Sequence, residues 1–325
     1  MIKIFIAVAF ILFSHAVASN KWVQSNEYKS FIESGVESEH QQAIQKALAT
    51  LTGPSTEVRV TPLRGGHSRD PLYRITFGSK EYVFRIPLQG YDIFAACTQL
   101  ASNHGFGPRL VYADKETSSL LIEFIQGSPL GAKHLENPET IQQLADHLKT
   151  MHQSSQQLPT FDSFKRLHLR LEMNQSDYSE LNLDLISQKI EAVEKLIAWC
   201  HFSQVLSHND LHSGNLFYDP HGKIKFIDWG DAGLCDPFVD LARISFEFNF
   251  SAEQNSIFLN QYFGRAPEAI ETSRFYLMRQ MALARCGFSF LNRGGNVDDS
   301  VVQELKLSIQ QGNLNIVQEL KLSAQ

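Results

Sequence analysis

Between residues 205 and 231 the chain reads VLSHNDLHSGNLFYDPHGKIKFIDWGD. A short apolar run, Val205-Leu206, leads into a loop that carries Asp210, and Asn215 follows five residues later. A second short run, Lys225-Phe226-Ile227, ends on Asp228. This segment therefore places one acid on a loop, an amide just beyond it, and a second acid at the end of a strand. Phosphoryl transfer from a nucleotide requires such a set: one carboxylate to orient or deprotonate the attacking hydroxyl, and an amide oxygen and a second carboxylate to hold magnesium against the phosphates.

The flanking sequence has two characters. Upstream, Gln41–Leu51 carries Ala43, Ala47 and Leu51 at helical spacing and ends at Thr52-Gly53-Pro54. Strand-like runs follow at Thr56–Leu63, Tyr73–Phe77 and Glu81–Pro87, then a helix over Phe94–His104 and strands at Leu110–Ala113 and Ser119–Ile125. Downstream of Gly127, residues 139–153, 178–200, 253–263 and 269–290 show helical periodicity, and short strands are expected only at 205–207, 215–218 and 224–228. The expected fold class is α+β, with a small antiparallel-sheet lobe over 41–127 and a mainly helical lobe over 128–298. Residues 19–40 read as a linker or short helix. Residues 299–325 read as a terminal helical segment in which VQELKLS occurs twice; the sequence does not specify a protein partner for it. One fragment there resembles an ankyrin repeat, but a stable array needs about three.

The pattern His208-x-Asp210-x-x-x-x-Asn215 followed by Ile227-Asp228-Trp229 resembles the kinase-like phosphotransferases of small molecules, among them choline, ethanolamine and thiamine kinases and aminoglycoside phosphotransferases. The resemblance runs from about Leu63 to Leu291 and is nearest to bacterial choline kinase-like proteins. Tyr82–Pro87 is similar to their arginine-bearing strand, Phe106–Val111 and Leu121–Gly127 to their path into the hinge, and Asp236–Ala242 with Tyr262-Phe263-Gly264 to later motifs. It implies a protein kinase-like bilobal fold and an ATP- and Mg2+-dependent transfer to an alcohol. Position by position, it implies Asp210 as catalytic base, Asn215 and Asp228 as magnesium ligands, and Arg85 on the nucleotide phosphates. Gly65, Gly66 and Ser68 would begin the nucleotide loop, Glu123, Phe124 and Ile125 would lie beside adenine, and His208 and Asp240 would brace the catalytic loop.

Several positions depart from that pattern. Arg69 stands where an asparagine is common, an extra residue precedes Tyr73, and Asp70-Pro71 stiffens the loop. The helix after Arg85 holds Ala96 or Cys97 where relatives offer a glutamate; Asp92 is the acid nearby, so Arg85 is expected without its usual partner. Gly230 replaces a glutamate after Asp228-Trp229, with Asp231 next.

A cationic acceptor such as choline or ethanolamine needs aromatic faces and a carboxylate. Trp229, Asp231, Glu247 and Tyr276, with Phe246 and Phe248, are the candidates after Asp228. The expected activity is phosphorylation of a small amine alcohol. The alternatives are an aminoglycoside- or thiamine-type phosphotransferase, and a pseudokinase binding module motivated by the altered nucleotide loop. A protein kinase fits less well, since Ile227-Asp228-Trp229 stands in place of Asp-Phe-Gly and no Ala-Pro-Glu occurs.

Composition narrows the rest. A net charge of −6 with no long basic run excludes duplex nucleic acid as an expected partner. Four dispersed cysteines without a CxxC pair argue against a zinc site or a disulfide scaffold. Lys3, the apolar run Ile4–Phe13 and Ala16-Val17-Ala18 form a signal-peptide pattern over 1–18, cleaved before Ser19. The run is too short for a stable span, and no later stretch reaches about 18 apolar residues. The expectation is export, periplasmic or secreted, with a host cytosol as one place where an exported chain meets ATP; a leader left unused would keep the chain cytoplasmic.

Overall fold

A computed structural model describes residues 21–24, 29–32, 36–51, 57–64, 69–173, 183–199 and 202–291. The leader at 1–18, Gly65, Gly66 and Ser68 of the nucleotide loop, and the repeat within 299–325 lie outside the described residues. In chain order the first elements are β1 (Lys21–Gln24), β2 (Lys29–Ile32), α1 (Ser38–Leu48), β3 (Glu57–Pro62), β4 (Leu72–Phe77), β5 (Lys80–Arg85), α2 (Tyr91–Asn103), β6 (Leu110–Asp114), β7 (Ser119–Glu123) and β8 (Ser128–Pro129). They are followed by α3 (Pro138–His152), α4 (Ser163–Met173), α5 (Leu183–Trp199), β9 (Val205–Ser207), β10 (Leu216–Tyr218), β11 (Ile224–Phe226), β12 (Gly233–Cys235), α6 (Pro237–Glu247), α7 (Ala252–Phe263) and α8 (Ala269–Leu291). The expected α+β class holds. Among the described residues, no helix is long and apolar enough to cross a membrane.

The chain divides into two compact units. The first comprises Met1–Leu130 and Ser213–Gly230. Its main sheet has the order β1-β2-β3-β4-β5-β7-β6, antiparallel throughout except where β2 runs parallel to β3. The linker or short helix expected over 19–40 is thus a strand pair, β1 and β2, followed by the start of α1. Four-residue strands offer too few alternations for period 2 to be read from sequence. In β4 the alternation is complete: Tyr73, Ile75 and Phe77 are buried and their neighbours are not. They pack with Val58, Val60, Tyr82 and Phe84 under Ala43, Ile44, Ala47 and Leu48, the apolar stripe of α1.

The segment 213–230 joins this unit through a second sheet, β11-β10-β8. Phe226 N–H donates to the Phe106 carbonyl at 2.7 Å, and the Phe106 ring lies 5.7 Å from Phe226 and 6.4 Å from Trp229. Gly127, at φ +155°, lets β8 approach β10; a Cβ there would sit 2.3 Å from the Tyr218 carbonyl oxygen.

The second unit comprises Gly131–His212 and Asp231–Gln325. Its helix α3 buries Ile141, Leu144, Ala145, Leu148 and Met151, one face at helical spacing. Asp236 caps α6 by accepting Phe238 N–H at 2.9 Å, with Pro237 in the first turn. Ser251 and Gln254 form a capping box on α7. Two helices were not foreseen from periodicity. In α4, leucines at 167, 169 and 171 alternate like a strand, yet only Leu167 and Leu171 are buried and Leu169 faces solvent. In α6, eight residues from Pro237 to Ser245 are buried, so no polar face marks the period.

Candidate functional site

The loop that carries Asp210 begins where β9 leaves its two-stranded pairing with β12. Asp240, on the first turns of α6, is fully buried beneath it. Its Oδ2 accepts His208 N–H at 2.7 Å and its Oδ1 accepts Asn209 N–H at 2.8 Å. On its other side His152 Nε2 lies 3.3 Å from Oδ2, and His152 Nδ1 lies 2.8 Å from the Tyr262 hydroxyl. A carboxylate only accepts, so Nε2 carries the proton, and in the neutral ring Nδ1 then accepts from Tyr262. Asn209 takes the left-handed backbone conformation, φ +64°, and its amide donates to the Ser207 and Asp231 carbonyls. His208 Nδ1 accepts Asp210 N–H at 3.3 Å. Three successive backbone N–H groups are thus consumed by two buried side chains, and the turn before Asp210 has no freedom to rotate.

The Asp210 carboxylate is itself partly exposed. Arg285, from α8, lies 3.4 Å from Asp210 Oδ1 and 3.3 Å from Asp231 Oδ2, and also donates to the Asn209 carbonyl. His212 Nε2 stands 3.7 Å from Asp210 Oδ2. Burial pushes the Asp210 carboxyl up, but Arg285, His212, Arg243 and His208 outweigh it and hold its pKa below the ordinary value. Burial likewise lowers the His212 pKa, against the pull of Asp210. Arg166 also pairs with Asp231, at 3.1 Å, and both it and Arg285 lie over the Phe161 ring. Arg170 stands close enough that burial, with the charges of Arg285 and Arg166, brings its pKa down to about 10.

Asn215 and Asp228 flank the open end of the β10–β11 hairpin in the first unit. Leu216 is opposite Phe226, and Ile227 N–H donates to the Asn215 carbonyl at 3.0 Å. Asp228 has φ +67°, which breaks the strand's alternation and re-aims its side chain. The amide of Asn215 and the carboxylate of Asp228 are hard oxygen donors, the kind magnesium takes. Asp228 Oδ1 accepts from Arg85 at 2.9 Å, and among the described residues its Oδ2 has no hydrogen-bond partner. This donor set fits the ion.

Arg85 ends β5 and is buried. The expectation that it lacks a carboxylate partner is wrong. Asp70 Oδ2 accepts from its Nε at 2.8 Å and lies 2.6 Å from its Nη2. Asp92, the acid nearby in sequence, reaches Lys115 at 2.9 Å instead. Helix α2 offers Arg85 an aromatic face, with the guanidinium 4.1 Å from the Phe94 centroid.

Other expected positions fall out differently. Trp229 is 1% exposed and packs on Phe106, so it is core and lines no acceptor site. Glu247 is salt-bridged to Arg243 at 2.8 Å. Asp231 holds two arginines, and Tyr276 is half-buried on α8 with its ring against Phe275. Glu123 pairs with Arg109 at 2.7 Å, and the Phe124 ring carries the Arg74 guanidinium at 4.6 Å; Ile125 follows β7 in the same extended segment. Sequence reasoning missed Asp70, Arg285, Arg166 and His152. Asp70 was findable from register, because Leu72, two residues on, lies opposite Arg85. The arginines carry no sequence signal, being ordinary polar positions of α4 and α8.

Known proteins resemble this chain in both sequence and structure. Ethanolamine kinase 2 of Mus musculus is 28% identical over 197 residues, which is 57% of this chain and 49% of that one. The chain therefore spans about half the length of that relative. A choline/ethanolamine kinase family protein from Mesorhizobium loti superposes with a TM-score of 0.64 at 19% identity, covering 87% of this chain and 98% of the other. LicA in complex with AMP gives 0.61 at 18%, covering 88% and 98%. These structural likenesses establish the shared kinase-like fold. With the phosphotransferase pattern matching residues 59–274, two thirds of the sequence, the chain belongs to the phosphotransferase enzyme family known as APH.

Proposed function

We propose that this protein transfers the γ-phosphoryl group of ATP to the hydroxyl of a small amine alcohol of the choline and ethanolamine kind. The observation that carries the phosphotransfer reading is the Asp210 loop: a partly exposed carboxylate kept ionised by Arg285, on a turn pinned by Asp240. An ionised carboxylate at pH 7 accepts the hydroxyl proton as the oxygen attacks phosphorus. Asn215 and Asp228 would hold magnesium, which when bound draws charge from the phosphate oxygens. Arg85 forks onto those oxygens, its guanidinium staying charged throughout. The segment Glu123–Ile125, whose first two side chains already have partners, contributes backbone groups beside the base.

The amine-alcohol acceptor is supported by what the relatives are called. A larger polycation of the aminoglycoside kind is the second reading, since spectinomycin and kanamycin phosphotransferase structures share the fold. ADP release by residues 19–325 with Mg-ATP and choline, ethanolamine, thiamine or an aminoglycoside decides among them, with Asp210→Asn as control. Turnover with one acceptor, lost in the variant, is expected; Mg-ATP binding without turnover on any of the four would refute the amine-alcohol and polycation readings, and no binding would support the pseudokinase alternative.

A further inference from the structure

We infer that Asp70 is the positioning residue of the nucleotide site: it fixes Arg85 from within its own hairpin, so that the guanidinium is set for phosphate without an acid from helix α2. The inference rests on the kinase reading above, because it concerns how Arg85 is presented to a nucleotide.

The geometry begins with register. Strands β4 and β5 pair antiparallel with Leu72 opposite Arg85. Ile86 N–H donates to the Pro71 carbonyl at 3.0 Å, which carries the ladder one step past the strand end. The next step is made by a side chain, as Leu88 N–H donates to Asp70 Oδ1 at 3.0 Å. The second oxygen, Oδ2, receives Arg85 Nε at 2.8 Å and Nη2 at 2.6 Å. One carboxylate thus brackets the end of β5, with one oxygen on the backbone and the other on the guanidinium edge. Its side chain is 15% exposed and that of Arg85 10%, so the pair is little screened by water. Proline at 71 has a fixed φ and no N–H to satisfy, and it biases the residue before it toward extended backbone. The stiff Asp-Pro step, unusual for a loop expected to fold over phosphates, is what aims the carboxylate.

The bracket also sets how Arg85 is divided. The same Nη2 lies 2.9 Å from Asp228 Oδ1, a carboxylate assigned to magnesium. Nη2 carries two N–H groups, so it bridges the two carboxylates. With the Asp70 charge removed, Asp228 would be the carboxylate left to the guanidinium, and the arginine would be drawn toward the residue proposed for magnesium. Helix α2 contributes the Phe94 face, which fixes the plane of the guanidinium and supplies no competing charge.

The test is a double-mutant cycle on nucleotide affinity, read by calorimetric titration of the full chain with MgADP. Asp70→Asn keeps an oxygen for Leu88 N–H and removes the charge. It is expected to weaken MgADP binding about tenfold, the scale of one charge-assisted bond. In an Arg85→Ala background the same substitution is expected to do nothing further. Asp92→Asn, on the exposed acid that pairs with Lys115, is the control and is expected to leave affinity unchanged. The melting temperature of each variant shows whether it is folded, and Asp70→Glu, which retains the charge, is expected to recover part of the loss should the asparagine variant be poorly folded. Unchanged affinity in Asp70→Asn, an equal loss in both backgrounds, or an equal loss in Asp92→Asn would each overturn the inference. Wild-type protein with no affinity for MgADP would overturn the kinase reading, and the inference with it.

Discussion

Asp240→Asn is the substitution most costly for its size. The native carboxylate is fully buried and accepts two backbone N–H groups, from His208 and Asn209 at 2.7 and 2.8 Å, with His152 Nε2 as a third neighbour at 3.3 Å. An asparagine is isosteric but keeps only one acceptor oxygen. Whichever way the amide turns, its NH2 faces a backbone N–H or the protonated His152 Nε2. One charge-assisted bond, worth about 1.5–3 kcal/mol, is lost, and a buried donor left unsatisfied costs about 1–3 more. A total of about 3–5 kcal/mol follows, against about 5–15 for the stability of an ordinary domain. Urea denaturation followed by far-UV circular dichroism measures it as a lowered midpoint at unchanged slope. Turnover should fall as well, because the turn that aims Asp210 is held by the same oxygens. A loss under about 1 kcal/mol would refute the reasoning, since it would mean that the two N–H groups find other partners.

Tyr262→Phe removes the donor to His152 Nδ1 and is expected to cost about 1–2 kcal/mol in the same assay; a neutral substitution would show that this hydroxyl does not support the chain from Tyr262 to Asp240. Arg285→Met takes away the nearest positive charge that holds the Asp210 pKa down, leaving burial to push it up, so the acid limb of the kcat/KM profile should move to higher pH. An unmoved limb would show that Arg285 does not set the state of Asp210. Burial pushes the Cys97 and Cys235 thiols up to about 12, so both should resist iodoacetamide at pH 8 in the native protein and react in urea. Peptide mass spectrometry reads the sites, and rapid native labelling of either would contradict the burial.

Much of the candidate site was legible because its key residues are close in the chain. Asp210, Asn215 and Asp228 occupy one loop and one hairpin, so covalent spacing alone orders them. The existence of α1 and β4 was legible too, though α1 runs Ser38–Leu48 and its stripe includes Ile44 and Leu48 in place of Leu51. The α4 helix was hidden by leucines spaced two apart, and α6 by burial on every side.

The sequence by itself determined the class of fold and the family, and it singled out the acids and the amide on which the proposed chemistry is placed. What only the tertiary structure decided is how those groups are held and charged. Asp70 reaches Arg85 through strand register, Arg285 reaches Asp210 from α8, and His152 reaches Asp240 from α3, 88 residues away along the chain. Trp229, which reads as a substrate aromatic, is core for the same reason: burial and electrostatic pairing are properties of packed neighbours, and no local window of sequence contains them.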